Sequence, residues 1–222
     1  MQHIALNLAL TKAGLSSSGI DAVFAGDLIN QCTGSSFGLL DVPSPYFGLY
    51  GACSTSAEAL ILATLYLNAT GVSTVAAVTS SHNCTAERQF RFPVEYAALR
   101  TPTSQWTVTG AAAFLLGDGP GAYITSLLPG RIIDRGVTDA NNMGAAMAPA
   151  AFDTLSRYFS LSCSSPSDFD GIFTGDLGYE GHAILVESLS ASGFPTSNFS
   201  DCGLLIYDRE KQDAHAGGSG CG

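Results

Sequence analysis

Cys53 stands where two sequence patterns meet, in the segment YFGLYGACSTSAEALILATLYL (residues 46–67). The aromatic and apolar run before this cysteine predicts a buried strand, and the apolar spacing after it predicts a helix. Backbone N–H groups point outward at the start of a helix and stabilise a thiolate there. Cys53 is therefore a candidate nucleophile, or the remnant of one.

A second group of polar side chains lies in HNCTAERQFR, residues 82–91. It follows an apolar strand pattern at 72–80. Because ligand sites in open α/β sheets lie at the carboxyl ends of the strands, we expect His82 and Cys53 to face the same crevice. The alternative is that His82 is a polar loop residue that caps the following helix, and the sequence leaves both interpretations open.

Two arginines in this segment are notable because the chain has only nine basic residues, lysine and arginine together. Arg88 and Arg91, with His82 and Asn83, offer donors for a planar carboxylate ligand, which arginine binds in a bidentate manner. The alternative is structural: the two arginines form ion pairs with Glu87, with Glu95 or with a dimer partner. The residue pattern does not favour either.

The composition limits the classes of function. Nine basic and 19 acidic residues give a net charge of −10, which disfavours a nucleic-acid partner. The six cysteines show no C-x-x-C spacing, so no metal site, redox pair or cofactor is predicted. No apolar run reaches the ~18–20 residues of a membrane span, and no signal peptide opens the chain. We therefore expect a soluble, cytoplasmic-type chain.

Internal similarity predicts a duplicated fold. IDAVFAGDL (20–28) and FDGIFTGDL (169–177) share five of nine residues at an offset of 149, and each follows a helix pattern and a serine-rich turn. Strands that alternate with helices favour a mostly parallel sheet covered on both faces. We predict two halves, 1–120 and 121–222, in an α/β/α/β/α layered arrangement.

The element pattern is specific enough to be tested. It predicts helices at 2–13, 145–160 and 181–192, and strands at 22–28, 72–80, 107–119, 170–174 and 201–208. The chain begins inside a helix pattern and stops in the turn GGSGCG. We therefore expect a fragment that lacks both ends of its fold and is less stable than the complete chain.

Several segments together resemble one known family. The chain contains, in order, FAGDLINQ, GACSTSAEA, TSSHNCTAERQFRFPVEY, TVTG, GRIIDRGVTDANNMGAAMAPAAFDT, TGDLG, DCGLLIYD and AGGSGCG. These segments are similar to the stage V sporulation protein AD family, which has a thiolase-like fold related to ketoacyl-acyl-carrier-protein synthase III. SSHNCTAERQFRFP and MGAAMAPAA are the most specific of them.

The resemblance implies a site without its catalytic partners. Condensing enzymes of this fold use a cysteine nucleophile, whose position Cys53 matches, together with a histidine and an asparagine. This chain has Gly175 where the histidine is expected and Gly218 where the asparagine is expected. His182 and His215 are weak substitutes, since the first begins an ordinary helix and the second adjoins a glycine-rich loop. We therefore predict a protein that is not an enzyme.

The function implied by the resemblance is binding of dipicolinic acid for its uptake into the developing spore, with calcium as a potential companion ion. The predicted ligand-binding residues are Cys53, His82, Asn83, Arg88 and Arg91. A homodimer, other spore membrane transport proteins as partners, and a position peripheral to the inner spore membrane follow from the same resemblance. Two alternatives stay open: an active acyltransferase or ketoacyl synthase that uses Cys53, and a structural subunit of a membrane transport complex.

Overall fold

The computed structural model describes residues 1–91, 93–97 and 99–221, and the chain divides into two compact units. The first comprises Met1–Val94 and Thr109–Leu127, and the second comprises Glu95–Val108 and Leu128–Gly222. The halves predicted at 1–120 and 121–222 rest on the internal similarity and stay a prediction.

Helices and strands alternate along most of the chain. The helices are α1 (Gln2–Ala13), α2 (Thr33–Gly38), α3 (Thr55–Thr70), α4 (Asn83–Phe90), α5 (Met143–Ser162), α6 (Gly178–Ala191) and α7 (Cys202–Leu205). The strands are β1 (Ala22–Asp27), β2 (Tyr46–Leu49), β3 (Thr74–Ser81), β4 (Trp106–Thr107), β5 (Gly110–Gly117), β6 (Ile172–Thr174), β7 (Phe199–Asp201) and β8 (Gly218–Ser219). The predicted helices at 2–13, 145–160 and 181–192 are confirmed as α1, α5 and α6.

The first unit contains a four-stranded sheet in the order β2-β1-β3-β5. Strand β1 runs parallel to both β2 and β3, and β5 runs antiparallel to β3. The mostly parallel sheet that the sequence predicts is therefore confirmed. The parallel strands β1, β2 and β3 all have their carboxyl ends on the same side of the sheet, so the segments that follow these strands begin there.

Helices cover both faces of this sheet. Alternate residues of β1 point to opposite faces: Val23 and Ala25 belong to a buried cluster with Leu6 and Leu10 of α1. Ala22 and Phe24 belong to the cluster on the other face, which contains residues of α3. Burial of a valine or leucine side chain stabilises the fold by about 1.5–3 kcal/mol, so the buried valines of β1 and β3 and the buried leucines of α1 anchor the unit.

Two strand predictions are wrong in the first part of the chain. The run before Cys53 forms β2, but this strand is at the edge of the sheet and largely exposed: Phe47 stacks on Phe24 with ring centroids 4.6 Å apart and still exposes 41% of its surface. The single strand predicted at 107–119 is two strands. Trp106 and Val108 donate backbone hydrogen bonds toward β8, whereas β5 pairs with β3.

The second unit contains two short parallel pairs, β4 with β8 and β6 with β7. Its core lies between α5 and α6 and includes Ala148, Leu185 and Leu189. The expected strand at 170–174 is confirmed as β6, whereas the strand predicted at 201–208 is wrong. That segment ends its strand at Asp201 and continues as α7, because the Asp201 carboxylate accepts the backbone N–H of Gly203 at 2.9 Å and caps the helix.

Asp201 connects three elements of this unit. Its side chain is fully buried and accepts hydrogen bonds from the Thr174 hydroxyl at 2.6 Å, the Leu177 N–H at 3.0 Å and the Gly178 N–H at 2.9 Å. Together with the cap on Gly203, these bonds join the end of β6 to the starts of α6 and α7. A buried carboxylate is tolerated because all its partners are donors.

We expect Asp201→Asn to lower the free energy of unfolding by about 2–4 kcal/mol, because an amide turns one acceptor oxygen into a donor that faces backbone N–H groups. Urea unfolding of both variants followed by circular dichroism measures the effect. Asp170→Asn is the matched control, since Asp170 is an exposed carboxylate of the same unit, and its change should stay within about 0.5 kcal/mol. Equal stability of the two variants would contradict the role given to Asp201.

Candidate functional site

Cys53 lies in a short 3-10 turn, Ala52–Ser54, between β2 and α3. Its side chain is half-buried. Ala52, directly before it, has φ of +48°, in the left-handed region that residues with a Cβ rarely adopt. The predicted placement of the cysteine between a strand and a helix is therefore confirmed, and the turn that presents it is strained.

Thr55 holds this turn in place. Its hydroxyl oxygen accepts the Gly51 N–H at 3.1 Å and donates to the Ala52 carbonyl at 2.8 Å. The Ser54 hydroxyl donates to the Gly51 carbonyl at 2.8 Å. Because the backbone on both sides of Cys53 is tied by side chains of the first turn of α3, the cysteine is kept at the helix start.

His82 directly precedes α4 and is half-buried. Its carbonyl accepts the Thr85 hydroxyl and the Ala86 N–H, each at 3.0 Å, so His82 occupies the N-cap position of α4. Its side chain makes no capping hydrogen bond. Within the part of the chain that the structure describes, the His82 Nδ1 atom is buried and has no hydrogen-bond partner. Asn83 follows, and its N–H donates to the Thr109 hydroxyl at 2.9 Å.

The two arginines differ in their surroundings. Arg91 forms an ion pair with Glu87, with Nε 2.7 Å from Oε2, as the structural alternative predicts for it. Arg88 is exposed, and no ion pair joins it to any residue in the described ranges. A ligand contact of either arginine stays a prediction.

Cys53 and His82 follow the two strands that flank β1. Gly26 of β1 pairs with Leu49 of β2 on one side and with Thr79 of β3 on the other. The cysteine turn and α4 therefore both begin at the carboxyl ends of the parallel strands. The sequence predicts a ligand crevice at these strand ends.

Gln89 bonds α4 to the segments that follow β1 and β2, a role that the sequence reasoning missed. Its amide nitrogen donates to the Leu28 carbonyl at 3.1 Å and to the Tyr50 hydroxyl at 2.9 Å, and its amide oxygen accepts the Asn30 N–H at 2.8 Å. Tyr50 lies three residues before Cys53. The helix that carries the arginines is thus bonded to the segment that leads into the cysteine turn.

Asp27 is the second residue that the sequence reasoning missed. It is buried at the end of β1, where it accepts the Ile29 N–H at 2.9 Å and bonds to the Ser80 hydroxyl. Ser80 in turn accepts from the Gln2 amide at 2.9 Å. The repeated GDL triplet contained the signal, because it places Asp27 and Asp176 at equivalent positions.

The two glycines at the expected catalytic positions lie in the second unit. The Gly175 carbonyl accepts the Gly203 N–H at 3.1 Å. Gly218 is buried in β8, and a Cβ there would lie 2.4 Å from Cγ2 of Ile206 and 3.0 Å from Sγ of Cys221. The packing around Gly218 therefore leaves no room for an asparagine side chain.

The other candidate groups of the second unit have structural surroundings. His182 lies within α6, and His215 bonds to the Thr101 carbonyl at 2.9 Å and to Asp213 at 3.0 Å. Burial raises the pKa of the Cys202 and Cys221 thiols, with nearby carboxylates adding to the effect. Both thiols are therefore protonated at neutral pH and poor nucleophiles.

The described residues contain neither a cluster of metal ligands nor a helix that could cross a membrane. Among residues 1–91, 93–97 and 99–221, no three His, Cys, Asp or Glu side chains are grouped so that they could hold a metal ion. No helix in the same ranges combines the length and apolar character that a membrane crossing requires.

Solved structures share the fold of this chain. The Xanthomonas campestris protein OleA with bound cerulenin superposes with a TM-score of 0.70 at 14% identity, over 99% of this chain and 67% of its own. The 3-oxoacyl-[acyl-carrier-protein] synthase III from Aquifex aeolicus VF5 gives 0.61 at 14% identity, over 90% and 67%. The tetronic acid condensing enzyme AbyA1 gives 0.63 at 17% identity, over 91% and 67%. The predicted thiolase-like α/β fold is confirmed.

The sequence itself matches one family. Stage V sporulation protein AD of Bacillus subtilis (strain 168) is 42% identical over 219 residues, which are 98% of this chain and 64% of the relative. The chain thus spans a little under two thirds of that relative. The family model described as Stage V sporulation protein AD (SpoVAD) matches residues 1–222. The chain belongs to the Stage V sporulation protein AD family.

Proposed function

We propose that this chain is part of a non-catalytic protein of spore formation that binds dipicolinic acid for uptake into the developing spore. The observation that carries the proposal is the 42% identity to a sporulation protein across 98% of the chain. Calcium as a companion ion, other spore membrane transport proteins as partners and a position at the inner spore membrane are parts of the same proposal.

The charges and donors on α4 suit a dianionic ligand. Dipicolinate is a flat ring with two carboxylates, and a protein of net charge −10 repels it unless positive charge is placed locally. Arg88 offers an exposed guanidinium on α4, and His82 and Asn83 lie at the start of the same helix. The turn of Cys53 adds outward N–H groups at the start of α3.

The glycines of the second unit support a role without turnover. A cysteine thiol needs a general base or a lowered pKa to act as an acyl acceptor. The family resemblance implies that Gly175 and Gly218 replace the histidine and asparagine of condensing enzymes of this fold, and the packing at Gly218 leaves no room for an asparagine side chain. In the proposed function Cys53 contacts the ligand and forms no acyl intermediate.

We expect Arg88→Gln to weaken dipicolinate binding at least tenfold, because each charge-assisted hydrogen bond contributes roughly 1.5–3 kcal/mol. Arg91→Gln and Cys53→Ala should weaken it as well. Calorimetric titration with dipicolinate measures affinity, and thermal melts of the same samples measure folding. If all three variants fold normally and bind like the parent, the ligand site lies elsewhere.

Glu87→Gln is the matched control for Arg91, since it breaks the same 2.7 Å ion pair and leaves the arginine in place. A ligand-binding Arg91 predicts that Arg91→Gln loses affinity while Glu87→Gln keeps it. A structural Arg91 predicts the same drop in melting temperature for both variants, with affinity per folded molecule unchanged.

The rival function is an acyltransferase or ketoacyl synthase, and the fold shared with condensing enzymes favours it. We expect no condensation product and no burst of thiol release when the protein is incubated with acyl-CoA or acyl-carrier protein. Cys53→Ala serves as the blank for both measurements. Turnover that disappears in Cys53→Ala would establish the rival and overturn the proposed function.

A homodimer is also part of the proposal, and strand β5 supports it. This strand is at the edge of the four-stranded sheet, and its residues GAAAFLLG include no charge and no proline. Such an edge offers N–H and C=O groups to a further strand and has none of the features that usually block pairing. A second copy that pairs through β5 would extend the sheet across a two-fold axis.

We expect Phe114→Lys on β5 to convert the dimer to a monomer, because it places like charges on both sides of the two-fold axis. Sedimentation velocity over a range of concentrations measures the change. Phe37→Lys, on α2, is the control for a lysine in place of another exposed phenylalanine. A monomeric parent, or a dimer that both variants retain, would refute pairing through β5.

A further inference from the structure

The second unit contains a cleft that has no part in the function proposed above. Its volume is about 520 Å³, within the range of small-molecule sites. It is lined by Arg100 and Pro102 on one side and by the segment 209–215 on the other. All these residues belong to the second unit, whereas the proposed dipicolinate residues belong to the first.

Three of the residues that line this cleft are cations. Arg100, Arg209 and Lys211 line it, and they are three of the nine basic residues of a chain with net charge −10. Lys211 exposes 81% of its side chain and reaches Asp208 with its Nζ at 2.8 Å. Glu210 and Asp213 also line the cleft, so its lining has one more cation than carboxylates. In a chain of net charge −10, this local balance favours an anionic ligand.

Both arginines place their guanidinium groups over aromatic rings. The guanidinium carbon of Arg100 lies 3.4 Å from the centroid of the Trp106 ring, and that of Arg209 lies 4.3 Å from the centroid of Tyr179. Arg100 also donates to the Gln105 carbonyl at 3.2 Å. Contact with a ring restricts the motion of each guanidinium, so less side-chain entropy is lost when an anion binds to its N–H groups.

The segment that forms the other wall is also ordered by specific bonds. The Asp208 carboxylate accepts the N–H groups of Glu210 at 3.1 Å and Lys211 at 3.3 Å. The Ala216 N–H donates to the Ser104 carbonyl at 3.1 Å. With the bond from His215 to Thr101, these contacts hold the 209–215 segment against the segment that carries Arg100, and the cleft exists before any ligand binds.

The acidic lining residues restrict the ligand further. Glu210 and Asp213 line the cleft together with the cations. Dipicolinate has only acceptor groups under neutral conditions, so it would leave both carboxylates opposed by negative charge. A phosphorylated molecule with hydroxyl groups matches both the cations and the carboxylates of the cleft. Its phosphate accepts from arginine and lysine, and its hydroxyls donate to the carboxylates.

We propose that this cleft binds a phosphorylated small molecule that carries free hydroxyl groups, such as a sugar phosphate. The site is separate from the proposed dipicolinate site and does not depend on it. Arg209 and Lys211 bind the phosphate, Arg100 provides a second guanidinium from the opposite wall, and Glu210 and Asp213 accept the hydroxyl groups.

Trp106 makes the proposal directly measurable, because it is the only tryptophan of the chain and Arg100 covers its ring. We expect ribose 5-phosphate to change the tryptophan fluorescence in a saturable way, with an affinity that falls as salt rises. Ribose without phosphate should leave the signal unchanged. Calorimetry with the same two compounds gives an independent affinity.

Arg209→Gln and Lys211→Gln should each weaken ribose 5-phosphate binding about tenfold or more, because each removes one charge-assisted contact. Both side chains are exposed, so these substitutions should not impair folding. Arg135→Gln is the matched control, since it removes an exposed arginine of the same unit that does not line the cleft. Its affinity should stay within twofold of the parent.

Three results would overturn the inference: no saturable binding to the parent, equal binding by all variants, or displacement of ribose 5-phosphate by dipicolinate. Inorganic phosphate that binds as tightly as ribose 5-phosphate would refute the role of the hydroxyl groups. The dipicolinate proposal is judged separately by the Arg88 and Arg91 variants of the first unit, so either proposal can fail alone.

Discussion

The first unit depends on the close approach of α3 to strand β1. A Cβ on Gly26 would lie 2.4 Å from Cγ2 of Thr55 and 2.5 Å from the Leu49 carbonyl oxygen. Any side chain at this position would push the start of α3 away from the sheet. Thr55 is the residue whose hydroxyl ties the turn of Cys53, so the bare backbone of Gly26 allows the cysteine to be held at the carboxyl end of the sheet.

In the second unit, a buried carboxylate joins a strand to two helices. Asp201 binds the end of β6 and the starts of two helices, and all its hydrogen-bond partners are donors.

The repeated GDL triplet places Asp27 and Asp176 at the same position of the two repeats, and both are buried. Their partners differ: Asp27 accepts from the residue two positions later, whereas Asp176 accepts the N–H groups of Gly220 and Cys221. Similar strands therefore carry different loops.

Several basic residues of this acidic chain occur in two groups, one on α4 and one in the cleft of the second unit. Arg88 and Arg91 lie on one helix of the first unit, and Arg91 is partly neutralised by Glu87. The cations of the cleft in the second unit come from two chain segments, and the guanidinium groups of its two arginines lie over aromatic rings. In the first region the positive charge is local in sequence, whereas in the second it is assembled by the fold.

The spacing of apolar residues and the turn residues are sufficient to predict the helices and strands that have a buried face. The apolar spacing of residues 2–13 and the stop at Gly14, which has φ of +68°, predicted α1 correctly. The strands β1 and β3 were recognised because continuous apolar runs are typical of strands buried on both faces. The placement of Cys53 between a strand and a helix followed from the same local patterns, and the family resemblance was carried by short motifs.

Only the tertiary structure decided the features that depend on distant partners. β2 is exposed because it has a neighbour on one side alone, and the 107–119 run divides because its two parts pair with different strands. The chain leaves the strand conformation after Asp201 because this carboxylate caps α7 at the Gly203 N–H, while its bonds to residues 177 and 178 hold it in place. The cleft joins Arg100 to residues more than 100 positions later in the chain. Hydrogen-bond partners and charges at such separations are brought together by folding and leave no local pattern in the sequence.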